Sequence, residues 1–342
     1  MAKLWIKVKD KCQCQLCSHF CLLSKENPLG KCKVRYFSKG EVHSLVDMHL
    51  ACLQIDPIEK KPLYHFKPKS HILSVGTVGC NFTCKWCQNH TLVNAINIDE
   101  QYLDEFDTLK QLTGKKYSID FLLEIAKREK AQSIAYTYNE PTVFYEQFEQ
   151  IAIKAQEKEL YNVLVSNGYF SATVFANLKN YIHAMNIDLK SFSEKTYQIY
   201  CNARLKPVLD SLIRIKESGI HLEVTTLFIP EINDSLQEMK NLVSFLVKYL
   251  GKDTIWHIST FYPAYQLQEK QKTPLSTLDN AYQIGKELGL EYIYYGNVAK
   301  DSITYCPKCH EELIKRKIYH VEIINNFYGI CPKCGEYIIG IW

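Results

Sequence analysis

Three cysteines in the string GCNFTCKWCQN, Cys80, Cys84 and Cys87, are spaced C-x3-C-x2-C directly behind the apolar run HILSVGTVG. Thiolates at this spacing suit a cubane iron–sulfur cluster held at three corners. A [4Fe–4S] cluster normally takes four thiolates, so three leave one iron open to a chelating ligand. Two plainer readings compete: a zinc knuckle, or three cysteines that pack in a core. Structural zinc is usually held by paired C-x2-C knuckles that supply four ligands, and no fourth cysteine lies nearby.

Paired knuckles do occur elsewhere. Cys306-Pro-Lys-Cys309 and Cys331-Pro-Lys-Cys334 stand twenty-one residues apart in the last stretch of the chain. A tail of about 40 residues cannot bury enough surface to fold alone without a metal or disulfide. Structural zinc contributes ~10–16 kcal/mol of apparent binding energy in small finger peptides. A zinc ribbon is therefore expected, with a rubredoxin-type iron site as the alternative of the same geometry. Near the N-terminus, Cys14, Cys17, Cys21 and Cys32 can supply four thiolates to a second metal centre, either zinc or iron–sulfur, with Cys12 and His19 as spare ligands. Cys52 and Cys201 fall outside these groups, and core packing is the default for both.

Eleven of the fourteen cysteines thus sit at metal-ligand spacing. With no signal-peptide apolar region in MAKLWIKVKDKC, that usage points to a reducing cytoplasm rather than a disulfide scaffold. The 342 residues, 46% of them hydrophobic, allow one large domain with one or two small ones. No apolar run approaches the ~18 residues of a membrane span. The net charge of +4 leaves no nucleic-acid footprint. Residues 1–70 carry 13 Lys/Arg against 6 Asp/Glu, an excess that reads as a solvated face or as a docking surface for an acidic partner.

The elements that must position these groups follow from periodicity. Three regions separate by composition: a Cys- and Lys-rich segment over 1–66, a central part over 67–300, and the knuckle-bearing tail over 301–342. Apolar runs at 72–78, 133–138, 161–166, 184–188, 221–228, 255–260 and 291–295 predict strands. FLLEIAKREK, TVFYEQFEQIAIKAQEKEL, PVLDSLIRIKESG, SLQEMKNLVSFLVKYLG and TLDNAYQIGKELG between them have helical spacing, and three end on a Gly suited to a helix C-cap. The expected fold class is α/β: a partial or near-complete (β/α) barrel of the TIM type, a small N-terminal Cys-rich domain, and a C-terminal zinc ribbon.

Chemistry in such a barrel sits at the C-terminal ends of strands. Asn139 and Glu140 in YTYNEPTVFYE offer an amide and a carboxylate suited to an ammonium group, unless the Glu-Pro merely starts a helix. Ser166 and Asn167 in VSNGY are polar contacts or an ordinary Ser-Asn-Gly turn. Asp188 and Lys190 in NIDLK lie on one side of a strand, as a working pair or a buried ion pair. His257 in WHISTFYP is a functional group or a satisfied core histidine. Trp86 has a flat face that could cover an adenine ring, or is simply buried.

The cluster string closely resembles that of the radical S-adenosylmethionine (SAM) superfamily. In that superfamily the amino and carboxylate groups of SAM occupy the open iron, and one electron from the cluster cleaves the sulfonium to methionine and a 5′-deoxyadenosyl radical. The resemblance implies that Cys80, Cys84 and Cys87 ligate the [4Fe–4S] cluster. It also implies that Trp86, Asn139, Glu140, Ser166, Asn167, Asp188, Lys190 and His257 are candidates for the SAM pocket. The blocks CQLCSHFC, IDPIEKKPLYHF, SVGTVGCNFTCKWCQN, AYTYNEPTVFYE, NIDLKSF, GNVAKDSITYCPKC and CGEYIIGIW further resemble the radical SAM component of the AmmeMemoRadiSam system, in order and across nearly the whole chain. Two positions depart from that pattern: Ser18 where Pro is usual, and Asn202 where Gly is often found.

This resemblance implies Memo-like and AMMECR-like partners and an electron donor of the ferredoxin or flavodoxin kind, with no membrane and no nucleic acid. The string IDPIEKKPLYHF is distinctive of the family but suggests no mechanism by itself. Two other functions compete. An activase that installs a glycyl radical on a partner enzyme is one, although residues 88–132 lack the cysteine-rich insert that many activases carry. A non-catalytic, metal-stabilised binding module is the other, and retention of all three cluster cysteines with YNEP and DLK argues against it.

Overall fold

Seven apolar runs rich in β-branched and aromatic residues become strands, close to where their periodicity places them. They are β1 (His71–Gly76), β2 (Ala131–Tyr136), β3 (Tyr161–Ser166), β4 (Ala184–Asp188), β5 (His221–Phe228), β6 (Ile255–Thr260) and β7 (Tyr292–Gly296). The computed structural model describes residues 2–47, 49–96 and 114–342; part of the cysteine-free stretch 88–132 therefore lies outside the described residues. Most of the strand residues are buried whether they face one side or the other, as befits strands covered on both faces.

Helices follow the strands: α1 (Ile119–Arg128), α2 (Tyr145–Glu157), α3 (Ala172–Leu178), α4 (Leu205–Glu217), α5 (Leu236–Phe245) and α6 (Leu275–Glu287). Ser118, Ser171 and Ser235 cap α1, α3 and α5 by accepting from the backbone N–H three residues on. The Gly closing each of KESG, KYLG and KELG turns to positive φ (77°, 100° and 95°), where a Cβ is disfavoured, although Gly251 of KYLG pairs it with an extended ψ of 159°. Helix α3 escapes periodicity because ATVFANL is only seven residues long. The N-terminal pairings of Trp5–Val8 with Lys11–Cys14 and of Arg35–Ser38 with Glu41–Ser44 escape it because four-residue strands carry almost no pattern.

Two compact units emerge, Met1–Ile55 with Ile72–His183 and Tyr200–Ala203, and Asp56–His71 with Ala184–Ile199 and Arg204–Trp342. They do not coincide with the composition boundaries near 66 and 300. In the first, Cys52–Pro57, β1, β2 and β3 are neighbours in that order, and β2 pairs with β3 in parallel. In the second, β4 to β7 are neighbours in chain order and every pairing is parallel. No helix among the described residues is long and apolar enough to cross a membrane.

The second unit also absorbs the C-terminal tail. Ser302–Tyr305, Glu312–Lys317 and His320–Ile323 form an antiparallel sheet. Leu313, Ile314, Val321, Phe327 and Ile338 share one core with Ile255 of β6 and Tyr292 and Tyr294 of β7. The tail is therefore packed against the parallel strands rather than tethered as a separate knuckle.

The string IDPIEKKPLYHF acquires a physical role here. Asp56 pairs with Lys60 and Lys61 at 2.7 Å, and the Lys69 N–H donates to Glu59 (2.8 Å). Glu223 of β5, fully buried, accepts from Tyr64 N (3.0 Å), His65 N (2.8 Å), His221 Nε2 (2.9 Å) and His257 Nε2 (2.6 Å). Burial raises the Glu223 carboxyl, but the bonds from His221 and His257 outweigh it and hold the group well below the carboxylate range. His65 is driven down to about 3 by burial, so it is neutral. Its Nδ1–H donates to Ile339 O (2.7 Å) and its Nε2 accepts from the Tyr294 hydroxyl (2.6 Å). Tyr294 in turn accepts from Thr304 (2.8 Å), which accepts from Arg316 (2.8 Å). One polar chain thus ties the 56–67 segment, β5 to β7 and the tail.

Two outcomes test this chain. Glu223→Ala strands four buried donors and should lower the unfolding free energy in urea by about 3–5 kcal/mol; a loss below about 1 kcal/mol would refute the lock. Both Glu223 and His65 have depressed folded pKa values. Their stabilisation is complete above the unfolded values of about 6.5 for His and 4.3 for Glu and is lost as pH falls. The urea midpoint should therefore drop from pH 6.5 toward 3, and His65→Asn should flatten the upper part of that slope.

Candidate cluster site and metal centre

The loop that leaves β1 carries the cysteines, and neighbouring strand ends hold it. Gly79 takes φ +80°, and a Cβ there would lie 2.7 Å from Cys32 O and 2.4 Å from Val34 Cγ2, so only Gly lets the loop reach Cys80. Asn139, just beyond β2, spends its whole amide on the same stretch. It accepts from Thr77 N (3.1 Å) and donates to Thr77 Oγ1 (3.2 Å), Val78 O (3.3 Å) and Gly79 O (2.8 Å).

Glu140 is 2% exposed and both its oxygens are engaged. It accepts from Thr142 N (3.2 Å) and Thr142 Oγ1, from Ser166 Oγ (2.9 and 3.0 Å) and from Asn167 N (2.9 Å). Burial pushes its pKa up against the pull of these donors. Asn167 then donates from Nδ2 to Asn81 Oδ1 (2.7 Å), beside the first cluster cysteine. Asn139, Glu140, Ser166 and Asn167 therefore converge with Asn81 in one hydrogen-bonded set that joins the ends of β1, β2 and β3. The amide and carboxylate expected to face an ammonium group are instead committed to protein donors and acceptors. Thr142 and Asn81 belong to the set without having been singled out by sequence; the place of Asn81 between two cysteines of the motif was the available signal.

Cys80, Cys84 and Cys87 are each partly exposed. Burial raises the Cys80 thiol, with the charges of Glu140, Cys84 and Cys87 adding to the effect. The Phe82 N–H donates to Cys80 Sγ (3.4 Å). Three neighbouring thiols with an N–H on sulfur are a donor set that fits a cubane cluster ligated at three corners. Trp86 is 4% exposed and its ring lies 6.0 Å from that of Tyr200. The backbone of 200–201 accepts from Thr83 N (3.1 Å) and Lys85 N (3.0 Å), which gives buried Cys201 its place behind the loop.

In the second unit, Lys190 Nζ donates to Asp188 Oδ2 (2.9 Å), and the lysine backbone is held by Tyr197 (3.1 Å) and Asn233 (2.7 Å). Asp188 is 38% exposed and Lys190 16%, so the pair is neither wholly buried nor solvated. His257 is buried with its Nε2 committed to Glu223 and its ring edge-on to Tyr64 at 4.7 Å, the geometry of a satisfied core histidine.

Cys306, Cys309, Cys331 and Cys334 bring all four sulfurs within 4.8 Å of one another. Cys306–Cys334 and Cys309–Cys331 are 3.5 and 3.6 Å apart. Tetrahedral ligation at ~2.3 Å puts sulfurs about 3.8 Å apart, so this group fits one metal ion with no open position. Cys14, Cys17, Cys21 and Cys32 instead line a cavity with Arg35 and Asn81. Burial pushes Cys14 up to about 11 and raises Cys17 and Cys32 as well.

The Radical SAM superfamily signature matches residues 74–246. An uncharacterized protein of Methanocaldococcus jannaschii is 36% identical over 322 residues, covering 93% of this chain and 92% of that one. The 4-hydroxyphenylacetate decarboxylase activating enzyme of Clostridium scatologenes is 22% identical over 65% of this chain and 66% of the enzyme. Among solved structures, a radical SAM methyltransferase from Sphaerobacter thermophilus superposes with a TM-score of 0.50 at 14% identity over 68% of each chain, a likeness of fold alone.

The four-sulfur group at the tail gives a direct test. Cys331→Ser should remove about one metal equivalent per chain, by elemental analysis, because four-thiolate sites lose most of their affinity with one ligand. Limited proteolysis should then cut within 301–342. Unchanged metal content would show that the four sulfurs hold none.

Proposed function

Because the chain belongs to the Radical SAM superfamily, we propose that it reductively cleaves SAM at a [4Fe–4S] cluster on Cys80, Cys84 and Cys87 and abstracts hydrogen from a partner substrate. The observation that carries this reading is the three-cysteine loop held by Asn139 and Asn167 at the ends of parallel strands. When bound, the cluster supplies the low-potential electron that splits SAM to methionine and a 5′-deoxyadenosyl radical. The protein's part is to hold and enclose. Asn139 fixes the loop before Cys80, Glu140 fixes Ser166 and Asn167, and Trp86 lends an apolar wall against which an adenine could rest. Excluding water and loose hydrogen donors keeps such a radical for its target.

Glu140 is in this reading a positioning residue under the pocket rather than a direct ligand of the SAM ammonium. Asp188 and Lys190 remain proposed SAM contacts, since the pair keeps part of its surface exposed. His257 is not carried forward, because Glu223 already holds it. The tail's four cysteines take zinc in a structural role. The working context is the AmmeMemoRadiSam set in the cytoplasm, with Memo-like and AMMECR-like partners and a ferredoxin or flavodoxin donor, resting on the family-specific blocks of the sequence. An activase of a glycyl-radical enzyme is the second reading, favoured by the similarity to an activating enzyme. Anaerobic incubation with each partner class, followed by mass analysis and by EPR for a stable glycyl radical, separates the two.

Replacing Cys80, Cys84 and Cys87 together by Ala should abolish 5′-deoxyadenosine release under a strong reductant, while the tail metal stays bound. Persistent release in that variant would sink the assignment. Asn139→Ala orphans Thr77 N and three acceptors, each costing about 1–3 kcal/mol when buried. It should lower cluster iron retained through gel filtration severalfold, whereas a mere SAM contact would leave the iron intact and weaken only SAM binding.

A further inference from the structure

We infer that Cys14, Cys17, Cys21 and Cys32 hold a second [4Fe–4S] cluster, with Arg35 as its buried counter-cation. The chain itself offers the contrast that separates this from zinc. The tail cysteines close on one another at 3.5 and 3.6 Å, as four ligands on one ion must. Among the described residues, that tail group is where three or more ligand atoms gather within 4.8 Å. The N-terminal four instead line the wall of one shared cavity. A mononuclear site has no interior to fill. A two-iron cluster puts two thiolates on each iron, again in contact, whereas a cubane bound by four cysteines puts one thiolate on each corner. Thiols spread around a cavity match the last case.

The cavity wall also carries donors that nothing among the described residues answers. Arg35 is 1% exposed. Its Nη2 donates to Glu146, but Nε and Nη1 have no partner, and neither does Nδ2 of Asn81, which is 2% exposed and lines the same cavity. Buried orphan donors, above all on a guanidinium, are rare in folded proteins. Four thiolates around an oxidised cubane leave a net charge of about −2, with sulfurs that accept hydrogen bonds, and such an anion answers all three nitrogens. Asn81 is also where the two cysteine sets meet: its carbonyl accepts from His19 Nε2 (2.8 Å) and its side chain from Asn167 (2.7 Å).

The test uses the full chain with Cys80, Cys84 and Cys87 replaced by Ala, so that the N-terminal region is unaltered and the outcome does not depend on the SAM reading. After anaerobic reconstitution it should retain about four irons and four acid-labile sulfides, with the Mössbauer signature of a cubane. Zinc there instead of iron, about two irons, or no metal at all would each overturn the inference. Adding Cys17→Ser and Cys32→Ser should remove that iron while the tail metal and circular dichroism persist. Arg35→Gln, in the same background, should lose iron severalfold faster or shift the cluster potential to more negative values. An unchanged potential and iron content would remove Arg35 from the site.

Discussion

A carboxylate cut off from water must find donors for both oxygens or give up its charge, and this constraint organises the first unit. Glu140 finds its donors in Thr142, Ser166 and Asn167. Meeting that demand fixes the end of β3 against the end of β2. Asn167 is then oriented to reach Asn81, and Asn139 is drawn over the backbone of 77–79. The start of the cysteine loop is held by this set through Asn139 on the 77–79 backbone and Asn167 on Asn81, with His19 adding a bond to the Asn81 carbonyl. A single buried acid therefore helps to fix the backbone that leads into the first of the three thiols.

The second unit repeats the device with a different acid. Glu223 gathers two backbone N–H groups and two imidazoles. The polar chain from Arg316 through Thr304, Tyr294 and His65 carries the constraint to the tail. The tail's last strand-like contact closes the circle, since Ile341 N donates to His65 O (2.8 Å) and Lys67 N donates to Ile341 O (2.6 Å). The four-sulfur group at 306–334 thus sits on a platform that is hydrogen-bonded and packed independently of those sulfurs.

The three cysteine groups differ in what surrounds them, and the difference is chemical. The tail group is compact and self-contained, with sulfurs in contact. The loop group is partly exposed. The N-terminal group encloses a cavity with unanswered cationic and amide nitrogens. One residue type at one rough spacing is therefore set in three different surroundings, which spacing alone does not tell apart.

What the sequence determined by itself was whatever depends on local periodicity and ligand spacing. The seven strands, five of the six helices and their Gly ends, the three-cysteine motif and the paired knuckles were all legible, because each is encoded within a window of some twenty residues. Tertiary structure decided the rest, for reasons of reach. Whether Glu140 and Asn139 face a ligand or brace a loop depends on donors from residues 77 to 79 and 166 to 167. His257 could be assigned to the core only once Glu223 lay opposite it. IDPIEKKPLYHF had no readable purpose until its backbone N–H groups met an acid more than 150 residues away. That Cys14, Cys17, Cys21 and Cys32 line one cavity with Arg35 is likewise recorded by no linear pattern.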